Sequence, residues 1–130
     1  MSTILNGVGF FRLARRSSLE SDYRFRVGAV LVSRSGRPIS FGWNKLKTHP
    51  IFANPFKTVR TTIHAEMDCV KNISKDDLVG STMYVYRESL VGDVAMARPC
   101  SDCMGYLISH GVGTIFYSTS TPPYFRKENI

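Results

Sequence analysis

The sequence is poor in cysteine and tryptophan, and it has no long hydrophobic run. Its 130 residues include one tryptophan and three cysteines, which are Cys69, Cys100 and Cys103. An odd number of cysteines, two of them only three positions apart, argues against a disulfide framework and favours thiolate chemistry. Apolar runs such as residues 27–32 are far shorter than the roughly 20 residues that span a bilayer, so we expect no membrane segment.

The N-terminus also lacks the order of a signal peptide. A signal peptide places positive charge before an apolar stretch, whereas Arg12, Arg15 and Arg16 follow the apolar residues here. We therefore expect a cytoplasmic protein. With 43% hydrophobic residues, the chain has the size and apolar content of one domain with one core, spanning residues 1–130.

Positive charge is in excess. Seventeen lysines and arginines against ten acidic residues give a formal net charge of +7. This surplus indicates an anionic partner, either the phosphate of a nucleotide or the backbone of a nucleic acid, although it can also serve solubility alone.

The N-terminal part of the chain predicts a helix followed by a β-hairpin. Apolar side chains recur at helical spacing at Ile4, Leu5, Val8 and Phe11. They predict an amphipathic helix over residues 3–16. Two extended runs, 26–33 and 38–43, flank a turn and predict a hairpin. Residues 44–60 contain two prolines that disfavour helix, so we expect a long loop there, and loops of this length are usually functional.

The second half alternates helix and strand. A helix capped by Thr61 or Thr62 is expected to run to about residue 72. The next elements are a strand over 82–87, a polar connection over 88–98, a helix over 99–109 closed by Gly111, and a strand over 112–117. This order predicts an α/β fold, a three-layer α/β/α sandwich with a mixed sheet of four or five strands.

One imidazole and two thiols lie at the starts of two predicted helices. His64 opens one helix, while Cys100 and Cys103, three positions apart, share a face of the other. The positive end of a helix favours thiolates, the form of cysteine that zinc binds. Three ligands rather than four leave a position for water, as in catalytic zinc sites. Glu66, two residues from His64, is close enough to serve as a proton shuttle for that water.

These residue types also occur outside catalytic zinc sites. Cys100 and Cys103 could form a redox pair or half of a structural zinc site, but Pro99 before them and a His-x-Glu upstream favour catalytic zinc. Cys69 is better explained as a small buried apolar residue. His49 and His110 stay outside the metal set, because the negative end of a helix already explains His110.

These motifs match a known pattern. His64-Ala65-Glu66 followed by Pro99-Cys100-x-x-Cys103 resembles the zinc-dependent cytidine and deoxycytidylate deaminase superfamily, which also includes tRNA adenosine deaminases and single-strand DNA cytosine deaminases. Residues 27–32, 42–44 and 111–117 look like further family segments, so the resemblance covers about residues 26–118. It implies a cytidine-deaminase-like sandwich and a Zn²⁺-dependent hydrolytic deamination in which Glu66 moves the protons.

The resemblance also implies substrate contacts. Asn44 would hold the sugar hydroxyl, and the backbone of Ala65 would contact the base. Basic residues near the motifs could read a phosphate, and Arg87 or Arg60 is the best choice. The other candidates of this kind are Lys45, Lys47, Lys57 and Arg98. Trp43, Phe52 and Phe56 are equally well explained as a stacking wall for a base or as core and loop anchors.

Three functions follow from these features, in order of preference. The first is deamination of cytosine in a free (deoxy)nucleoside or nucleotide, similar to dCMP. The second is deamination of cytosine or adenine in single-stranded DNA or RNA, which the net charge and the aromatic loop favour. The third is a zinc-stabilised binding module without catalysis, which would have no need of Glu66 beside an open metal position. The sequence leaves the base, the sugar and the phosphate state open.

Two features depart from the family. The connection over 87–98 is longer than in common members, and its role is open. Only 12 residues follow Ser118, which is too few for the usual final helix and strand. We therefore expect an unpaired sheet edge that a neighbouring subunit covers, and hence a homo-oligomer.

Overall fold

A computed structural model describes residues 7–21, 25–45 and 63–130 of the chain. Its elements are α1 (Gly7–Ser18), β1 (Phe25–Val32), β2 (Pro38–Trp43), α2 (Ala65–Val70), α3 (Lys75–Leu78), β3 (Thr82–Ser89), β4 (Val94–Ala95), α4 (Ser101–Ser109), β5 (Thr114–Ser118) and β6 (Phe125–Asn129). None of the helices in the described part has the length and apolar character needed to cross a membrane.

The strands form one mixed sheet in the order β2-β1-β3-β5-β6, and the short β4 pairs with β3. β3 and β5 are parallel, whereas the other pairs are antiparallel. The predicted α/β class and mixed sheet are confirmed. The number of strands is six rather than four or five, because both β4 and β6 were missed.

Alternating side chains on the central strands build the two cores of the sandwich. Ala29 and Leu31 pack on one face with residues of α2 and α4. Val30 and Val32 point to the opposite face and pack against Phe10 of α1. The sheet therefore lies between α1 on one side and α2 with α4 on the other, which confirms the three-layer sandwich.

Helix α1 buries only part of the predicted face, because Phe11 packs against the core as expected but Val8 does not. Val8 is 65% exposed, while Phe10 and Ala14 are buried. A side chain at Gly28 of β1 would collide with the Ala14 carbonyl and the Ser18 backbone. The close approach of two backbones therefore sets the buried face, which apolar spacing alone does not encode. Residues 3–6 of the predicted helix lie outside the described residues.

The chain end forms an edge strand that the sequence did not predict. A turn in which the Tyr124 amide donates to the Thr121 carbonyl at 2.7 Å reverses the chain after β5. β6 then pairs antiparallel with β5 along its length. Its sequence, Phe-Arg-Lys-Glu-Asn, has charged side chains and no apolar alternation, a composition that suits an edge strand but gives a weak strand signal. The expected open edge is filled, so the homo-oligomer stays a prediction without that support.

The connection over 88–98 is a short hairpin rather than an irregular loop. β3 continues to Ser89, Gly92 turns the chain with φ of 89°, and β4 returns alongside β3. A glycine suits this turn because the left-handed region strains other residues. The hairpin leads directly into the segment that carries Cys100.

Two helix starts lie later than predicted. α2 begins at Ala65 with His64 as its N-cap, and α4 begins at Ser101 with Cys100 as its N-cap. Gly111, with φ of 93°, follows the end of α4 as expected. Thr61 and Thr62 and most of the predicted loop, residues 46–60, lie outside the described residues.

Candidate active site

The structure brings the three predicted metal ligands together at the starts of two helices. His64 and Cys100 are N-caps of α2 and α4, and Cys103 lies in the first turn of α4. His64 Nδ1 lies 3.2 Å from Cys103 Sγ and 3.6 Å from Cys100 Sγ. All three ligand atoms lie within 4.8 Å of one another.

These separations fit a shared zinc ion. Zinc bonds of about 2.0 Å to nitrogen and 2.3 Å to sulfur, in tetrahedral geometry, place the ligand atoms about 3.5 Å apart. The two nitrogen–sulfur distances bracket this value. Within the described part of the chain, no further side chain joins the group. One imidazole and two thiols thus match a catalytic zinc site, which keeps one position for water.

The position of His64 depends on how α2 is fixed to the edge of the sheet. A side chain at Gly42 would collide with the backbone of Ala65 and Cys69, so α2 lies directly on β2. The Ser40 hydroxyl donates to the Cys69 carbonyl, which ties the same helix to the same strand. Just before His64, the backbones of Lys45 and Ile63 exchange hydrogen bonds at 3.0 and 3.1 Å. The ligand is therefore held by backbone contacts on both sides.

Asp68 adds a charged anchor between α2 and β2. Its carboxylate accepts from the Trp43 amide at 3.1 Å and lies 3.1 Å from Lys45 Nζ and 2.7 Å from Lys71 Nζ. Burial alone would raise the pKa of Asp68, but the hydrogen bonds from Lys71 and Lys45 outweigh burial and lower it. Lys45, which also lies over the Trp43 ring at 4.2 Å, is therefore a structural residue in this arrangement.

Glu66 lies in the first turn of α2, two residues after His64. It is only 5% exposed, and burial raises its pKa to about 7, with a hydrogen bond from its own backbone amide acting in the opposite direction. A carboxyl with a pKa near neutrality can both take up and release a proton at physiological pH.

A cavity of about 360 Å³ opens onto this cluster. Its volume is within the usual range of ligand sites, about 300–1,000 Å³. His64, Ala65, Glu66 and Cys100 line it together with the remaining wall residues, Phe25, Val27, Asn44, Arg87, Met96, Ala97 and Arg98. The lining thus includes the predicted proton carrier Glu66, two of the three predicted ligands, and the predicted substrate contacts Asn44, Ala65 and Arg87.

Asn44 is partly engaged by the protein itself. Its Oδ1 accepts from the Val27 amide at 3.0 Å, and its Nδ2 donates to the Phe25 carbonyl at 2.9 Å. These bonds fix the carboxamide at the end of β1. One N–H and one acceptor lone pair of Asn44 are left over for a ligand, because a carboxamide has two donors and two acceptor sites.

Several wall residues escaped the sequence analysis. Phe25, Met96 and Ala97 carry no reactive group, so only their position in the fold brings them to the site. Phe25 had a usable signal, since it shares a strand face with Val27 and Ala29 through the period of two. Met96 and Ala97 follow β4, and the hairpin that places them was not predicted.

The remaining candidates lie elsewhere. Cys69 is buried, and burial raises the pKa of its thiol to about 12, which confirms it as an unreactive core residue. His110 stacks on Tyr106 and its Nδ1 lies 2.8 Å from the Tyr106 carbonyl at the end of α4. Trp43 does not line the cavity. Residues outside the described part are His49, Phe52, Phe56, Lys47, Lys57 and Arg60.

Solved structures share this fold. The cytidine deaminase of Burkholderia pseudomallei superposes with a TM-score of 0.67 at 18% identity, over 95% of this chain and 92% of that chain. The dCMP deaminase of the cyanophage S-TIM5 gives 0.63 at 23% identity, over 88% of this chain and 83% of that chain. The same phage enzyme has been solved in complex with dCMP and dUMP. No curated protein sequence matches the chain.

The fold and the ligand cluster define a class of protein, the zinc-dependent hydrolytic deaminases. The family model of the cytidine and deoxycytidylate deaminase zinc-binding region matches residues 9–119, and the chain belongs to this family. Zn²⁺ is accordingly its metal, and deamination of cytosine is the general reaction that membership supports.

Proposed function

We propose that the protein deaminates cytosine in a free (deoxy)nucleoside or nucleotide, as a dCMP-like enzyme, to give the corresponding uracil compound and ammonia. One observation carries the proposal: a single cavity contains the buried carboxyl of Glu66 beside the His64 and Cys100 ligands. The volume of about 360 Å³ suits a monomeric ligand. The similar phage enzyme, solved with dCMP and dUMP, supports this substrate class.

His64, Cys100 and Cys103 would hold the zinc ion. Bound in such a site, zinc lowers the pKa of a water so that a nucleophile is present near neutral pH. Glu66 would move both protons of the attacking water: one would go to the ring nitrogen next to the amine-bearing carbon, and the other to the amine, which leaves as ammonia while the carbon keeps the oxygen. Water enters and ammonia leaves, so cytosine becomes uracil without any redox step.

Asn44 and Ala65 would orient the substrate. The remaining N–H of Asn44 suits a sugar hydroxyl, because the bonds to β1 already hold the carboxamide in place. Ala65 lines the cavity between His64 and Glu66, and its backbone would contact the base. These contacts would present the ring nitrogen and the amine to the carboxyl of Glu66.

The test is ammonia release by the zinc-loaded protein from cytidine, deoxycytidine, their monophosphates, adenosine, guanine and a cytosine-containing single-stranded oligonucleotide. We expect turnover of a monomeric cytosine compound and a loss of about 10²–10⁴-fold in kcat for Glu66→Gln, which removes the proton carrier at nearly constant size. Zinc content should be unchanged in the variant. Absence of turnover on every monomeric cytosine substrate would refute the proposal.

A second candidate is deamination within single-stranded DNA or RNA, which the net charge of +7 favours. Binding of the oligonucleotide should then weaken steeply with salt, because phosphate contacts release counterions. Turnover of the oligonucleotide alone would establish this function. A binding module without catalysis would instead keep its biological activity in Glu66→Gln.

A further inference from the structure

Two arginines line the cavity, and they differ in their partners. Arg98 Nε and Nη2 donate to the two carboxylate oxygens of Glu128 at 2.6 and 3.1 Å. The Tyr117 hydroxyl donates to the same carboxylate at 2.7 Å. Glu128 belongs to β6, so the C-terminal strand neutralises Arg98 with a paired fork.

Arg87 has no such partner. Among the described residues no carboxylate pairs with it, and its Nε is buried without a hydrogen bond. A buried donor without an acceptor destabilises the fold. The chain therefore keeps one unsatisfied cationic donor in the wall of the cavity that contains Glu66 and His64.

The position of Arg87 is nevertheless well defined. Its guanidinium carbon lies 4.3 Å from the centroid of the Phe25 ring, a cation–π contact. In the β1–β3 register, Arg87 lies opposite Val27, so Phe25 is its diagonal neighbour on the same face. The Arg87 amide also donates to Ser118 Oγ at 3.0 Å. Strand pairing and stacking thus fix the side chain, although its Nε lacks a hydrogen-bond partner.

We propose that Arg87, seated on Phe25, binds the phosphate of the substrate, so that the enzyme acts on cytosine nucleoside monophosphates in preference to nucleosides. The inference rests on the proposed function and specifies its substrate class. A planar guanidinium matches a phosphate with two parallel hydrogen bonds, and a dianion satisfies the buried Nε. The hairpin of β3 and β4 gains a role, since it brings both arginines to the cavity.

The same observations favour a free nucleotide over a single-stranded nucleic acid as the substrate. A nucleic acid chain needs a row of cations that follows its backbone. In the lining of the cavity, as far as the described residues form it, Arg98 is neutralised and Arg87 is the remaining cation. A single unpaired guanidinium suits a single terminal phosphate.

The experiment compares kcat/KM for dCMP and deoxycytidine in wild type, Arg87→Gln, Arg87→Lys and Arg98→Gln. We expect wild type to prefer dCMP by at least about 10-fold and Arg87→Gln to lower the dCMP:deoxycytidine ratio by about 10- to 100-fold, as loss of a charged hydrogen bond predicts. Arg87→Lys should fall in between, because it keeps the charge without the fork. Arg98→Gln, the matched control, should keep the ratio within about threefold.

A binding measurement separates this inference from the proposed function. Thermal denaturation with dUMP and with deoxyuridine reports phosphate recognition without any turnover. If neither substrate is deaminated, the proposed function fails, but a larger stabilisation by dUMP in wild type than in Arg87→Gln still supports the phosphate site. A wild-type ratio near one, a ratio unchanged in Arg87→Gln, or equal stabilisation by both ligands would overturn it.

Discussion

The charged side chains on the two faces of strand β3 differ in how completely their hydrogen bonds are satisfied. Toward α1, Glu88 is buried and accepts from the Tyr86 hydroxyl at 2.8 Å and from Arg15 Nε at 3.0 Å. Toward the cavity, Arg87 has an unsatisfied Nε, and Glu66 is buried with a pKa raised to about 7. Glu88 thus belongs to a fully hydrogen-bonded network, whereas its neighbour Arg87 faces the cavity with an unsatisfied donor.

The difference shows how one sheet separates stability from chemistry. A satisfied buried network stabilises the fold because every donor has an acceptor. An unsatisfied donor or a carboxyl forced toward neutrality costs stability, and such groups cluster where a ligand completes them. Alternation along β3 keeps the two requirements on opposite sides.

The largest expected effect comes from replacing Cys103 with serine, which should remove zinc binding on the cavity side of the sheet and leave the α1 side intact. Without this thiolate, zinc binding fails and kcat/KM should fall by at least about 10³-fold, since zinc supplies several kcal/mol of stabilisation to the reaction. Metal content per chain and ammonia release measure both losses. Cys69→Ala is the matched control: it should keep zinc and cost about 1 kcal/mol of unfolding free energy. Equal zinc content in the two variants would contradict the ligand assignment.

A methyl group at Gly28 should disrupt the packing of α1 against β1. The added carbon meets the Ala14 carbonyl and the Ser18 backbone, so α1 must move away from β1. We expect Gly28→Ala to lower the free energy of unfolding by about 3 kcal/mol, measured by urea denaturation.

Gly105→Ala provides the control for this change. Gly105 lies in α4 with open space where a methyl group would go. The substitution should raise the free energy of unfolding by about 0.5–1 kcal/mol, because alanine favours helix. Similar effects of the two substitutions would show that the backbone approach at Gly28 does not hold the layers together.

Removing the carboxylate of Glu88 should leave the donors of Tyr86 and Arg15 without their shared acceptor. Glu88→Ala leaves the Tyr86 hydroxyl without its acceptor, and we expect a loss of about 2 kcal/mol in unfolding free energy. Tyr86→Phe in the same chain should recover part of it, with a coupling energy of about 1 kcal/mol in a double-mutant cycle. Zinc content should stay at the wild-type level, because the network lies on the other face. A purely additive cycle would mean that the Tyr86–Glu88 bond contributes little.

The comparison also shows what a sequence can and cannot predict. The clustering of His64, Cys100 and Cys103 could be predicted because zinc chemistry restricts both residue type and spacing. The β1–β2 hairpin was predicted because two extended runs, 26–33 and 38–43, flank a turn. β6 was missed because the open edge of β5, rather than its own charged sequence, determines its pairing. Phe25 was missed as a wall residue for a similar reason, since the register of β1 against β3 brings it to the cavity.

Acid should weaken the contribution of Asp68, which sharpens the comparison because this paired carboxylate lies on the cavity side of the sheet. If so, a buried charge stabilises the fold when it is paired, as Asp68 is with Lys45 and Lys71, whichever side of the sheet it lies on. Since the pKa of Asp68 is lowered in the folded state, its contribution is present above the unfolded value of about 3.9 and is lost as the pH falls through the folded value. Both lysines are about a quarter exposed, which screens the pairs, so we expect Asp68 to contribute only about 1 kcal/mol to the free energy of unfolding.

Urea denaturation of wild type and Asp68→Asn should show this difference at pH 6 and a progressively smaller one below pH 4. A difference that stays constant with pH would mean that charge pairing at Asp68 does not stabilise the fold.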